Sequence, residues 1–188
     1  MTDLLKLDLE SNIKDLLKYI GEDCNREGLK ETPMRVLKMY DEVFQGYKED
    51  PAIHLNKVFR ENHHELVLIK DIPFYSHCEH HMVPFFGVAH IAYYPNNYVV
   101  GLSKLARLVD GFSKRLQVQE RLTRQLADTI QNSLNPSGVM VVIKAEHMCM
   151  TMRGVQKPGT TTLTTAMRGV FEDSEKEYSK VLKLLQNN

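Results

Sequence analysis

At residues 65–70 the chain reads Glu65-Leu66-Val67-Leu68-Ile69-Lys70, a run typical of a short β-strand. Residues 86–94 predict a longer strand, because small and aromatic residues alternate there. The segment from Ser76 to Pro84 lies between the two and is rich in polar side chains. We therefore expect this segment on a loop that the two strands carry.

Downstream of these strands, the spacing of apolar residues changes to that of helices and then back. Apolar residues at helical intervals predict helices over 103–116 and 118–134. Alternation predicts a strand over 139–146, the Thr-rich residues 160–167 predict another, and residues 174–186 predict an amphipathic helix. The order strand-strand-helix-helix-strand-strand predicts an α+β fold, with a four-stranded antiparallel sheet and a helix pair on one face.

The N-terminal part of the chain differs from the rest, because its apolar residues follow helical spacing only. Residues 1–50 predict two helices, and residues 47–63 predict an irregular surface connection. We therefore expect an N-terminal helical region over 1–50 and one compact domain over 51–188.

The composition restricts the class of protein. Hydrophobic residues make up 43% and charged residues 26% of the chain, which is enough apolar material for an ordinary core. Lys+Arg and Asp+Glu balance at 24 each, which argues against a general nucleic-acid binder. No apolar run approaches the roughly 18–20 residues of a membrane span, and the N-terminus lacks a signal-peptide layout. We expect a cytoplasmic protein whose three cysteines are thiols or metal ligands.

The loop between the first two predicted strands reads Ser76-His77-Cys78-Glu79-His80-His81-Met82-Val83-Pro84. Cys78 and His81 are three residues apart, so a single turn lets both side chains face one point. On the later predicted strand, His147 and Cys149 are two residues apart and are expected to share a face. If that face meets the loop, Cys78, His81 and Cys149 form a Cys₂His set with a fourth position left for water, an arrangement known from catalytic zinc sites.

Two other interpretations of these residues stay open at this point. One is a disulfide between Cys78 and Cys149. The other is a closed structural zinc site in which His77, His80 or His147 is the fourth ligand. The surplus histidines favour a catalytic site, because a structural site needs no spare acid–base groups beside the metal.

Two further clusters bear on the substrate. Gly101-Leu102-Ser103-Lys104 opens a predicted helix, and a helix N-terminus with the cations Lys104 and Arg107 suits a phosphate group. Arg153 and Arg35 are further candidate cations, although each of these residues taken singly also fits a solvated basic face.

The other cluster is Gln119-Glu120, at the start of the second predicted helix of the pair. The Glu120 carboxylate is suited to accept hydrogen bonds from the N1–H and the 2-amino group of guanine. An acidic residue that merely favours a first helical turn is the alternative.

Four blocks of the sequence together resemble the signature blocks of the GTP cyclohydrolase I family. They are Ser76-His77-Cys78-Glu79-His80-His81, Gly101-Leu102-Ser103-Lys104-Leu105-Ala106-Arg107, Gln117-Val118-Gln119-Glu120-Arg121-Leu122-Thr123 and His147-Met148-Cys149-Met150-Thr151-Met152-Arg153-Gly154-Val155. Thr32-Pro33-Met34-Arg35-Val36 resembles the same family's helix before the catalytic domain. Several blocks in the correct order, from about Leu29 to Phe171, are far more specific than a lone Cys-x-x-His.

The resemblance implies the tunnelling fold and a toroidal homodecamer whose active sites lie between subunits. It implies conversion of GTP and water to formate and 7,8-dihydroneopterin triphosphate, the first step of tetrahydrofolate or tetrahydrobiopterin synthesis. One zinc ion per subunit would be held by Cys78, His81 and Cys149. The implied acid–base groups are His80 at the purine N7 and His147 with Ser103 at the ribose. Glu120 with Gln119 would hold the guanine edge, and the triphosphate would be held by Lys104, Arg107, Arg153 and Arg35.

Two alternative functions stand beside this one. A nitrile-reducing relative of the same fold would use NADPH and a nucleophilic cysteine, and it would not need the Cys78/His81 metal pair or the triphosphate cations. A non-catalytic, zinc-stabilised assembly module is the other alternative. The open edges of a four-stranded sheet also predict self-association, which a stable monomer at micromolar concentration would contradict.

Overall fold

The computed structural model describes residues 3–186, and the chain divides after Gln45 into two compact units. The first unit contains the two predicted helices, α1 (Asp3–Tyr19) and α2 (Thr32–Val43), which pack against each other. Pro33 lies in the first turn of α2, where its missing N–H costs no intrahelical hydrogen bond.

The second unit contains the strands and the remaining helices. Its strands are β1 (Val58–Arg60), β2 (Val67–Cys78), β3 (Pro84–Tyr94), β4 (Tyr98–Val100), β5 (Leu116–Gln117), β6 (Gly138–His147) and β7 (Thr161–Gly169). Its helices are α3 (Leu102–Ser113), α4 (Gln119–Leu134), α5 (Met148–Thr151), α6 (Val170–Asp173) and α7 (Glu175–Gln186). Within residues 3–186, none of the helices is long and apolar enough to cross a membrane.

The main sheet has five strands in the order β5-β2-β3-β6-β7. The four long strands β2, β3, β6 and β7 are antiparallel, and α3 and α4 lie between β3 and β6 in the chain. The predicted α+β fold and its strand-strand-helix-helix-strand-strand order are therefore confirmed. The sheet gains one strand over the prediction, because β5 pairs in parallel with the end of β2.

Two predicted boundaries were wrong, and both errors have a structural cause. Helix α3 ends at Ser113 rather than at residue 116, because Leu116 and Gln117 pair with β2. The segment 47–63 is not wholly irregular, since it contains the 3-10 turn Pro51–Leu55 and strand β1, which pairs with β4. Elements this short are below the length at which periodicity is informative.

Strand β6 is buried on both faces, which fixes the position of its C-terminal end. Val139, Val141 and Ile143 pack on one face with the apolar side chains of α3 and α4. Met140 and Val142 pack on the other face with residues of α6 and α7. A strand held from both sides is a rigid support for the residues that follow it.

The strand register brings three separate chain segments together at one end of the sheet, where β2 and β6 end and β3 begins. Phe85 at the start of β3 lies opposite His147 at the end of β6, so the 79–83 loop meets the residues that follow β6. The β5 pairing places Gln117 opposite Cys78, and α4 begins directly afterwards at Gln119. One region of the protein is therefore surrounded by three segments, namely the 79–83 loop, the end of β6 and the first turn of α4.

Candidate active site

The loop after β2 is folded into a single tight turn. The Cys78 carbonyl oxygen accepts hydrogen bonds from the amides of Met82 at 2.8 Å and His81 at 3.4 Å. The Cys78 amide donates to the Val83 carbonyl oxygen at 2.9 Å, which closes the loop against the start of β3. This turn brings Cys78 Sγ within 3.9 Å of His81 Nδ1, as the three-residue spacing predicts.

Cys149 reaches the same place from a helical turn and not from a strand. The prediction that His147 and Cys149 share a strand face was wrong, because β6 ends at His147 and α5 begins at Met148. Glu146 holds this turn by accepting hydrogen bonds from Thr151 Oγ1 at 2.8 Å and from the Gly159 amide at 3.2 Å. The same two bonds hold the pKa of the Glu146 carboxyl below its usual value.

The three side chains predicted as ligands converge. One ligand atom from each of Cys78, His81 and Cys149 lies within 4.8 Å of the others. The ligand atoms of a tetrahedral zinc site are about 3.5–3.8 Å apart, given typical Zn–S and Zn–N bond lengths. The observed cluster therefore needs only a small contraction to hold a metal ion, and all three cysteines of the chain are free thiols.

The protein environment by itself disfavours a thiolate at Cys149. Burial raises the pKa of this thiol, and the neighbouring Cys78 raises it further. A bound cation opposes both effects, because it stabilises the charged sulfur that ligates it. Burial and the proximity of the two thiols therefore disfavour free thiolates in this cluster, whereas a bound cation would stabilise them.

An ion pair ties the turn to α4. The Arg121 guanidinium donates two hydrogen bonds to the Glu79 carboxylate, at 2.5 and 2.9 Å, and lowers the pKa of that carboxyl. The Glu79 amide donates to the Gln117 carbonyl oxygen at 3.0 Å. Arg121 has no chemical signature in the sequence, apart from its place beside Gln119-Glu120.

A cavity of about 240 Å³ opens beside the ligand cluster. Its lining includes six of the residues singled out from the sequence, Cys78, His80, Gln119, Glu120, His147 and Cys149. His80 is exposed, with its Nδ1 atom 3.7 Å from Cys78 Sγ, and Glu120 is exposed as well. The cavity therefore combines candidate ligands, candidate proton carriers and a carboxylate.

His147 is held from two sides. Its Nε2 atom lies within hydrogen-bond distance of Gln119 Oε1, at 2.7 Å, and its ring stacks in parallel on the Phe85 ring with centroids 4.7 Å apart. Burial lowers the pKa of His147, while Glu120 opposes that shift, so burial favours the neutral ring. Sequence reasoning missed Phe85, since it reads as an ordinary residue of an apolar strand.

The predicted phosphate-binding residues are not gathered around this cavity within one chain. Ser103 and Arg107 lie exposed in α3, where Lys104 is half-buried, and none of the three is part of the described lining of the cavity. Arg35 belongs to the first unit, where it pairs with Glu31 at 2.6 Å. Arg153 is close to the cluster, since its Nη1 atom donates to His81 Nε2 at 3.1 Å.

The fold and the site together define an α+β protein with a cysteine–histidine cluster that could hold a metal ion. The family model for GTP cyclohydrolase I matches residues 9–186. GTP cyclohydrolase 1 of Geobacillus sp. strain WCH70 is 60% identical over 179 residues, which cover 95% of each chain. GTP cyclohydrolase 1 of Listeria welshimeri is 56% identical over 189 residues and covers 100% of both chains. The chain belongs to the GTP cyclohydrolase I family.

Family membership confirms the resemblance seen in the sequence and makes this chain a hydrolase. Among solved structures, an archaeosine synthase QueF-Like in the apo form aligns with a TM-score of 0.45 and 22% sequence identity. That alignment covers 55% of this chain and 93% of the other chain.

Proposed function

We propose that this enzyme is a zinc-dependent GTP cyclohydrolase I that converts GTP and water to formate and 7,8-dihydroneopterin triphosphate. The observation that carries the proposal is the convergence of Cys78, His81 and Cys149 beside a cavity that also contains His80 and Glu120. Family membership supports GTP as the substrate. This activity would supply the first step of tetrahydrofolate or tetrahydrobiopterin synthesis, and the predicted cytoplasmic location stays a prediction.

The donor set fits zinc better than a hard cation. Cys78 and Cys149 offer sulfur and His81 offers nitrogen, which are ligands typical of zinc, whereas magnesium and calcium take oxygen ligands. When bound, zinc supplies Lewis acidity that makes water a usable nucleophile near neutral pH. Three protein ligands leave room for that water and the substrate, which is the layout of a catalytic site.

We assign binding of the base to Glu120. Its carboxylate is exposed at the cavity, so it is available to accept hydrogen bonds from the N1–H and the 2-amino group of guanine. These bonds would orient the purine with C8 towards the ligand cluster. His80 lines the same cavity and would donate a proton to N7 as the five-membered ring opens.

We assign the later proton transfers at the ribose to His147 and Ser103. A neutral imidazole is a competent proton acceptor, and burial lowers the pKa of His147, which favours the neutral ring. Ser103 is not part of the described cavity lining, so its role requires a second copy of the chain.

The triphosphate would be bound by Lys104, Arg107, Arg153 and Arg35. Arg153 now donates to His81 Nε2. An imidazole that ligates a metal through one nitrogen keeps its proton on the other, so neither ring nitrogen can then accept from Arg153. A metal ion held by His81 would therefore leave the Arg153 guanidinium available to a phosphate oxygen, with which it would form strong charge-assisted hydrogen bonds.

The complete site would form between subunits. Ser103, Lys104 and Arg107 share one helix and do not line the cavity of their own chain, so a neighbouring copy would supply them. Strand β7 lies at an edge of the sheet, where Leu163 is 60% exposed, and it offers a surface for such pairing. We propose the toroidal homodecamer as the functional assembly.

Turnover and metal content test the proposal together. The purified protein, incubated with GTP, is expected to release formate and to develop the absorbance of a pterin. Cys149→Ser should lose zinc and formate release together, because one of three ligands is gone. Cys24→Ser is the matched control, since Cys24 lies in the other compact unit, and it should keep both. Full turnover by a zinc-free Cys149→Ser protein would contradict the proposal.

A further inference from the structure

The amide of Gln119 is buried at the back of the cavity, where its orientation can be worked out. The side chain is 1% exposed, and its Nε2 atom lies 3.1 Å from the carbonyl oxygens of Ile143 and Thr162. Peptide oxygens only accept hydrogen bonds, so the NH₂ end of the amide must face them. The opposite orientation would set three oxygen atoms against one another without a proton between them.

A chain of hydroxyl groups requires the same orientation independently. Thr123 Oγ1 donates to the backbone carbonyl oxygen of Gln119 at 2.7 Å, which uses the single proton of that hydroxyl. Thr164 Oγ1, at 2.6 Å, must therefore donate its own proton to Thr123. Thr164 Oγ1 then accepts from Gln119 Nε2 at 3.1 Å. Both lines of evidence leave the Gln119 oxygen pointing at His147.

We infer that Gln119 is a positioning residue that selects one tautomer of His147. Its Oε1 atom, 2.7 Å from His147 Nε2, only accepts, so the neutral ring carries its proton on Nε2 and its lone pair on Nδ1. The stacked Phe85 ring sets the plane of the imidazole. Within residues 3–186, no protein hydrogen bond engages Nδ1, so this nitrogen is the one that accepts a proton from the substrate.

This role replaces the one that the sequence suggested for Gln119. Its two amide protons are shared among three oxygen atoms of the protein, so they are not available to a purine. Glu120, which is exposed at the cavity, holds the guanine edge without it. The inference rests on the proposed function for the identity of the substrate, but the hydrogen-bond geometry does not depend on it.

Neutron crystallography of the zinc-loaded protein, exchanged into heavy water, reads the tautomer directly. At about pH 8, above the usual imidazole pKa of about 6.5, deuterium is expected on His147 Nε2 and on the Gln119 nitrogen that faces Ile143. Deuterium on His147 Nδ1, or an amide oxygen facing Ile143, would overturn the inference. The measurement needs no turnover, so its failure is distinct from a failure to hydrolyse GTP.

Steady-state kinetics then separate positioning from substrate binding. Gln119→Met keeps the length of the side chain but removes its hydrogen bonds. We expect kcat to fall about 10- to 100-fold, within the range that acid–base groups contribute, while KM for GTP stays within about threefold and zinc content is unchanged. A raised KM with unchanged kcat would instead make Gln119 a substrate-binding residue.

Thr164→Val is the matched control for the tautomer. It removes one hydroxyl of the network but leaves the two peptide oxygens that orient the amide, so deuterium should stay on His147 Nε2. Deuterium on His147 Nδ1 in this variant would contradict the claim that the two peptide oxygens determine the orientation of the Gln119 amide. If the Gln119→Met chain does not fold, the neutron measurement on the unaltered protein still decides.

Discussion

Replacing Phe85 by Leu tests whether aromatic stacking positions His147. Phe85 is fully buried, stacks on His147 at 4.7 Å and meets the edge of Phe74 at 5.9 Å. Each aromatic pair is worth about 0.5–1.5 kcal/mol beyond its buried area, so losing both should lower the free energy of unfolding by about 1–3 kcal/mol. The imidazole also loses the surface that sets its plane, so kcat should fall as well.

Phe74→Leu is the matched control for that substitution. Phe74 is equally buried and loses only its contact with Phe85, so the free energy of unfolding should fall by about 0.5–1.5 kcal/mol. Its ring is not stacked on His147, and kcat should stay within about twofold of the unaltered enzyme. Urea unfolding at fixed protein and zinc concentrations gives the first quantity, and pterin absorbance gives the second. Equal turnover by the two variants would refute the positioning role of Phe85.

The remaining predictions concern the base, the metal loop and pH. Glu120→Ala should weaken GTP binding about 10- to 100-fold with zinc content unchanged, because charge-assisted hydrogen bonds to the base are lost. Calorimetric titration measures the affinity for GTP, and an unchanged affinity would contradict a role of Glu120 in base binding. Glu79→Gln removes the charge that Arg121 binds, so zinc affinity should fall about 10-fold. Chelator competition measures this affinity, and equal zinc affinities of the variant and the unaltered protein would show that the ion pair does not support the metal site. Burial lowers the pKa of His90, so the unfolded chain binds a proton at this residue more readily than the folded chain does. The free energy of unfolding should therefore decline as pH falls below about 6.5. His90→Gln should make that decline less steep, and an unchanged slope of unfolding free energy against pH would contradict this.

Periodicity was sufficient for the long elements. The alternation from Val139 onwards predicted β6 because that strand packs on both faces, and helical spacing predicted α4 because one stripe of its surface is buried. It failed for β5 and α5, where pairing with β2 and a hydrogen bond to Glu146 decide the conformation. Elements of two to four residues carry no period of their own.

The candidate ligands could be found from residue chemistry alone. Two thiols and an imidazole near surplus histidines indicate a soft-metal site whatever their exact positions. The supporting residues could not be found this way. Arg121 and Phe85 are ordinary surface and core residues in the sequence, and only contacts with Glu79 and His147 distinguish them.

The order of elements, the ligand types of the Cys78–His81 turn and the family of the chain are properties of the sequence by itself. They are local or depend on matched blocks, so no distance between remote segments is needed to state them. Tertiary structure alone decided that Cys149 arrives from a helical turn and that the Gln119 amide points its oxygen at His147. The physical reason is that both depend on strand register and on acceptors from distant segments, Ile143 and Thr162, which have no local signature in the chain.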